Sequence, residues 1–146
     1  MRKIFFDYTF EYMKVQLIIF LGMILMACSC NINNYENAVT ALDGGREFID
    51  GCLKGDFKQA SFYMIQDSAN ESNLLKIKRD YNIKSADQKS AYASASIIIN
   101  DDETINDTTH IINYSNSYDK ISRKVKVINR NGKWLVDFEY TFNGNL

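Results

Sequence analysis

The stretch Val125 to Phe142 (VKVINRNGKWLVDFEYTF) constrains the fold more than any other. Asn131-Gly132 stands between two alternating runs. Both residues tolerate a positive φ, which two-residue hairpin turns require, so the pair predicts a tight antiparallel hairpin. In the second run Trp134, Val136, Phe138, Tyr140 and Phe142 alternate with Leu135, Asp137, Glu139 and Thr141. That is the period of a strand with one buried face. Such a strand needs an antiparallel sheet covered on one side.

Three further strands are predicted upstream. "YASASIII" (92–99) runs on through a bulge at "NDDE" to Ile105, followed by "TTHIINYSN" (108–116) and "ISRKVKVIN" (121–129). Before Tyr92 the period is helical. From Tyr35 to Lys54 an apolar stripe of Leu42, Gly45, Phe48, Ile49, Cys52 and Leu53 recurs at three- and four-residue steps. Gly44-Gly45 interrupts it at about 2 kcal/mol against alanine. Either the helix begins at Gly45 or a partner backbone approaches closely there. Gly55 closes this helix and Asp56 caps the next, which runs to about Met64. A third helix is predicted over 71–81, and 82–91 reads as a loop or one further helical turn. The expected fold is α+β: about three helices packed on a four-stranded antiparallel sheet.

The 146 residues suit one domain plus a targeting segment. Hydrophobic residues make up 46%, enough for a packed core. The net charge of −1 argues against a nucleic-acid binder, which would show a basic face. The chain has no proline, so its turns rest on Gly, Asn, Asp and Ser. Three cysteines make no disulfide framework. Cys28 and Cys30 would need Cys52 and the lone His110 to complete a zinc site, a combination without the usual spacing. No metal and no cofactor is expected.

Val15 to Ala27 (VQLIIFLGMILMA) is too short for a membrane span of about 20 residues and suits a signal h-region. Lys14 supplies the positive charge ahead of it. Asp7 and Glu11 fit an n-region poorly, so Met13 is the expected start. The h-region closes on Leu25-Met26-Ala27-Cys28, which resembles a bacterial lipobox, Leu-x-Ala/Gly-Cys. The resemblance implies cleavage between Ala27 and Cys28, a diacylglycerol on the Cys28 thiol and acylation of the new amino group. Residues 1–27 are then a signal peptide, 28–36 a polar tether and 37–146 one folded domain. By the same resemblance, Ser29 in place of Asp favours the outer membrane. No acidic cluster follows Cys28, which leaves the periplasmic face. Removing residues 1–27 takes away Arg2, Lys3, Lys14, Asp7 and Glu11 and leaves a net charge of −2.

Within the domain, "REFIDGCLKGDFKQASFYM" and the closing hairpin resemble the first two helices and last two strands of small envelope domains with the nuclear transport factor two-like cone fold. The match covers about residues 38–142 and carries fold motifs only. It implies a curved sheet around a long helix with a pocket at the open end. Enzymes such as ketosteroid isomerase share this fold, but none of their catalytic residues can be placed on positions here.

Candidate chemistry is sparse. His110 sits in a predicted strand near Asp107, and such a pair can do acid–base work. No nucleophile motif surrounds any serine or cysteine. Asp101, Asp102 and Glu103 lack a calcium-loop pattern and read as solvated turn residues. Tyr92, Tyr114, Tyr118 and Tyr140 are candidate pocket tyrosines, each pairing a large apolar face with a hydroxyl. Arg123, Lys124, Lys126 and Arg130 read as a solvated or edge face. Asp67-Ser68-Ala69 and Asp107-Thr108-Thr109 resemble a short bacterial O-glycosylation signal at Ser68 and Thr108.

The expected function is that of a lipid-anchored envelope module. It would bind a small apolar ligand or an envelope protein partner, with membrane contact through the lipid. The alternative is a small isomerase- or hydrolase-like pocket enzyme. A third reading is an inhibitor or assembly partner that presents its sheet face. The inside of the domain discriminates: a carboxylate or His110 in a deep pocket favours the enzyme, an open aromatic pocket the ligand binder, and a filled one the interaction protein.

Overall fold

Thr40 starts the first helix, α1 (Ala41–Lys54), by reciprocal capping: its hydroxyl accepts from Asp43 N–H at 3.1 Å, and its own N–H donates to Asp43 Oδ2 at 3.2 Å. Asp43 lies near the positive end of the helix dipole and Lys54 near the negative end. Gly55, at φ 73°, ends it in the left-handed conformation that glycine adopts without strain. Asp56 then caps α2 (Phe57–Phe62) by accepting from the N–H groups of Lys58 and Gln59. The helices α3 (Ser68–Asn82) and α4 (Ala86–Ala93) follow. This structure, a computed structural model, describes residues 34–142. Residues 1–27 and Cys28, with the expected cleavage and lipidation site, lie outside the described residues, as do Met13 and Cys30.

The four strands, β1 (Ile97–Asn106), β2 (Thr109–Asn116), β3 (Arg123–Arg130) and β4 (Lys133–Asp137), form an open antiparallel meander in the order β1-β2-β3-β4. Asn131 and Gly132 both have positive φ at the β3–β4 turn, as the hairpin requires. One sheet face carries Ile112, Val125, Val127 and Val136, all fully buried, and α1 packs on it in contact with all four strands. Phe48, Ile49 and Met64 complete the core. The free edge of β4 is closed by the segment after α2: Val136 N–H donates to Tyr63 O at 2.8 Å, and Ile65 N–H to Val136 O at 2.9 Å.

The glycines explain how α1 lies so close to the sheet. The helix begins at Ala41, not Gly45, and a Cβ on Gly44 would stand 2.7 Å from the Trp134 carbonyl oxygen. A Cβ on Gly45 would come closest to the movable Cδ1 of Ile112, at 2.6 Å, with Val127 Cγ2 next at 3.4 Å. Gly44→Ala is therefore expected to lose up to about 2 kcal/mol. The overpacking cost of about 1–3 kcal/mol exceeds alanine's helix gain of about 1 kcal/mol. Urea unfolding measures the difference.

Three expectations need correction. The helices number five among the described residues, because α4 occupies 86–93 and the closing turn forms α5 (Glu139–Phe142). Tyr92 therefore lies in a helix, and β1 begins only at Ile97. The fourth strand stops at Asp137 and does not reach Phe142. Phe138 folds inward against Phe48, with ring centroids 4.7 Å apart. Glu139 N–H donates to the Oδ1 of buried Asn70 at 2.7 Å, and Thr141 Oγ1 donates to Lys124 O at 2.7 Å. These tertiary bonds override the local alternation, so Thr141 is buried and Phe142 exposed. The bulge does form, with the register shifting between Ile99 and Asp101.

Candidate functional site

Between α1, α3, α4, α5 and the covered sheet face lies a cavity of about 150 Å³. Its apolar wall is Phe48, Ile77, Phe138 and Phe142. Its polar wall is Cys52, Tyr92, Tyr114, Arg123 and Thr141. A space of this size accepts a molecule about as large as benzene. Each wall follows from local structure. Phe48 and Cys52 are four residues apart on α1 and so share a face. Arg123 stands in alignment with Val125 and Val127 on β3, which turns it towards the helices. Tyr114 pairs directly with Ile99 across β1–β2 and with Arg123 across β2–β3.

The electrostatics of the polar wall are one-sided. Burial pushes the Cys52 thiol up to about 12. Burial also raises Tyr114 and Tyr92, with Arg123 pulling weakly the other way. Both tyrosines thus remain protonated donors throughout the physiological range. Arg123 is raised by its hydrogen bonds to Asp119. Partial burial pushes the Asp119 carboxyl up, but bonds from Arg123, Ile121 N–H and Asn116 outweigh it, and the net shift is downward. Among the described residues, no group lining the cavity is a base near neutral pH. Cys52 keeps part of its surface open because it lines the cavity, yet its thiolate fraction falls about a thousandfold below that of an unperturbed thiol. Cys52 is therefore expected to resist iodoacetamide at pH 8 in the folded protein and to react fully in urea, as read by peptide mass spectrometry.

Of the candidate pocket tyrosines, Tyr92 and Tyr114 line this cavity and Tyr140 does not. Tyr140 lies under the Lys126 ammonium, 5.4 Å from its ring centre. Tyr118 packs edge-on against Tyr92 at 5.3 Å. Arg123, read from the sequence as part of a solvated face, is instead in the cavity wall.

His110 is placed elsewhere. Its Nδ1 lies 3.0 Å from Asp102 Oδ1 and 3.5 Å from Thr104 Oγ1, and its ring stands edge-on to Trp134 at 5.5 Å. The partner is thus Asp102, not Asp107. The β1 bulge moves Asp102 opposite Ile112 on the covered face, whereas Asp107 falls in the exposed β1–β2 turn. This pair does not line the cavity. Ser68, just inside the Asp67-capped start of α3, and Thr108, in the β1–β2 turn, are both exposed. Among the described residues no three His, Cys, Asp or Glu side chains converge to hold a metal ion, and no helix is long and apolar enough to cross a membrane. A wider surface groove of about 640 Å³ runs along Tyr35, Phe57, Phe62 and Leu135. No family model, no curated protein and no solved structure matches the chain.

Proposed function

We propose that this chain is a lipid-anchored protein of the bacterial cell envelope whose folded domain binds a small, largely apolar ligand in the cavity beneath its sheet. The observation that carries the reading is the cavity itself: aromatic, open to a benzene-sized guest, and lined, among the described residues, by neither His110 nor a carboxylate. The enzyme alternative needs a base in the pocket, and a thiol at about 12 beside two raised tyrosines supplies none. The anchor rests on the lipobox at Leu25–Cys28, with residues 28–36 as tether and the outer membrane, facing the periplasm, as location. The nuclear transport factor two-like cone belongs to the same proposal. It is supported by the order of helices before an antiparallel meander and by a pocket between the two layers.

The test is purification of the acylated protein from its own envelope, followed by native mass spectrometry. A small molecule retained by the wild type and lost in Cys52→Leu, which adds volume to the cavity wall, supports the reading. An envelope protein in its place, with no small molecule, replaces the ligand reading with the accessory-module one.

A further inference from the structure

A guanidinium has five N–H donors. In Arg123 three of them are engaged. Nη1 donates to Asp119 Oδ1 and to the Ile121 carbonyl, both at 3.1 Å, and Nη2 donates to Asp119 Oδ2 at 2.8 Å. Two have no partner among the described residues: the Nε–H and the second hydrogen on Nη2. These two lie on one edge of the planar group and point in parallel. That edge is the fork a carboxylate takes bidentately. Asp119 holds the plane in place and is itself held by Asn116 Nδ2 and Ile121 N–H, each at 3.0 Å. The free edge is thus pre-organised before any ligand arrives.

Arg123 lines the cavity together with Tyr92 and Tyr114. Among the described residues neither tyrosine hydroxyl has a hydrogen-bond partner. Tyr114 is only 8% exposed as a residue, yet among the described residues no side-chain polar atom is both sealed off and without a partner, so its hydroxyl opens onto space that a small molecule can enter. Among the described residues no acidic side chain lines the cavity to compete for these donors.

We infer that the cavity recognises a small monocarboxylate, its two oxygens on the free edge of Arg123 and within reach of the tyrosine hydroxyls, its compact apolar tail among Phe48, Ile77 and Phe138. This rests on the ligand-pocket reading above and names its ligand class. Aspartate at position 119 balances the charge of Arg123 from behind, so the guanidinium keeps its orientation whether or not the pocket is filled. The apolar wall limits the tail to about the size of one aromatic ring.

Titration calorimetry of the full chain in detergent, with benzoate and its neutral isostere benzamide, tests this. Benzoate is expected to bind at least about tenfold tighter, the difference a charge-assisted fork supplies. Arg123→Lys keeps the charge but loses the fork, and should shrink that advantage to less than about threefold. Should Arg123→Lys fail to fold, Tyr114→Phe, which removes one donor at nearly constant volume, should weaken benzoate about threefold to tenfold and benzamide less. Equal binding of the two probes to the wild type overturns the carboxylate inference and leaves the pocket reading standing. Binding of neither overturns both.

Discussion

Phe48→Ala is expected to remove about 3–5 kcal/mol of unfolding free energy. Phe48 is 1% exposed, stands at the centre of α1 and packs edge-on against Phe138. That contact joins α1 to the turn that brings α5 back over the core. Removing the ring deletes both its transfer energy and the wall it gives the cavity. The neighbouring empty space does not relieve the loss, because the side chains around it already lack partners on that side. A domain of this length has about 5–15 kcal/mol in total, so the variant should be marginal at 37 °C. Urea unfolding reads the change, with Leu75→Ala as control: Leu75 is 55% exposed and should shift stability by no more than about 0.5 kcal/mol. A loss below about 1 kcal/mol for Phe48→Ala would contradict this core.

Cys28→Ala is expected to move the protein from the membrane to the soluble fraction. Each buried methylene contributes about 0.8 kcal/mol, and a single acyl chain holds a protein only marginally. A diacylglycerol with a third chain on the amino group is far past that threshold, so the wild type should stay in the membrane pellet through high salt and carbonate washes. On the proposed lipobox reading the variant loses the attachment point for every chain at once. Labelled palmitate should enter the wild type and not the variant. A variant that pellets as firmly as the wild type would contradict the anchor.

How much was legible in the sequence depends on where the deciding interaction lay. The β3–β4 hairpin was readable because Asn131 and Gly132 carry the conformational requirement themselves. The start of α2 was readable for the same reason, through Asp56. Helix α4 buries no residue, so hydrophobic periodicity is silent there. Its one local signal was the capping box Ser85–Gln88, which stands in "SADQ". Helix α5 was not readable, since the bond that ends β4 comes from Asn70, 69 residues away. The His110–Asp102 pair depended on a bulge whose position shifts every later side chain to the other face. Arg123 could have been found. Its alternation with Val125 and Val127 places it on the covered face, and Asp119 four residues earlier offers a partner. The cavity itself is a property of packing between elements distant in the chain, and no pattern within one element encodes it.

The space beneath the sheet is open to a guest and not filled by the side chains of the described residues. A crystal of the protein pressurised with xenon tests this, since the gas enters apolar space of this size and the wall of Phe48, Ile77, Phe138 and Phe142 supplies it. One strong xenon peak is expected in van der Waals contact with Phe48, Ile77 and Phe138. A closed, fully packed interior with no xenon at those residues would contradict it.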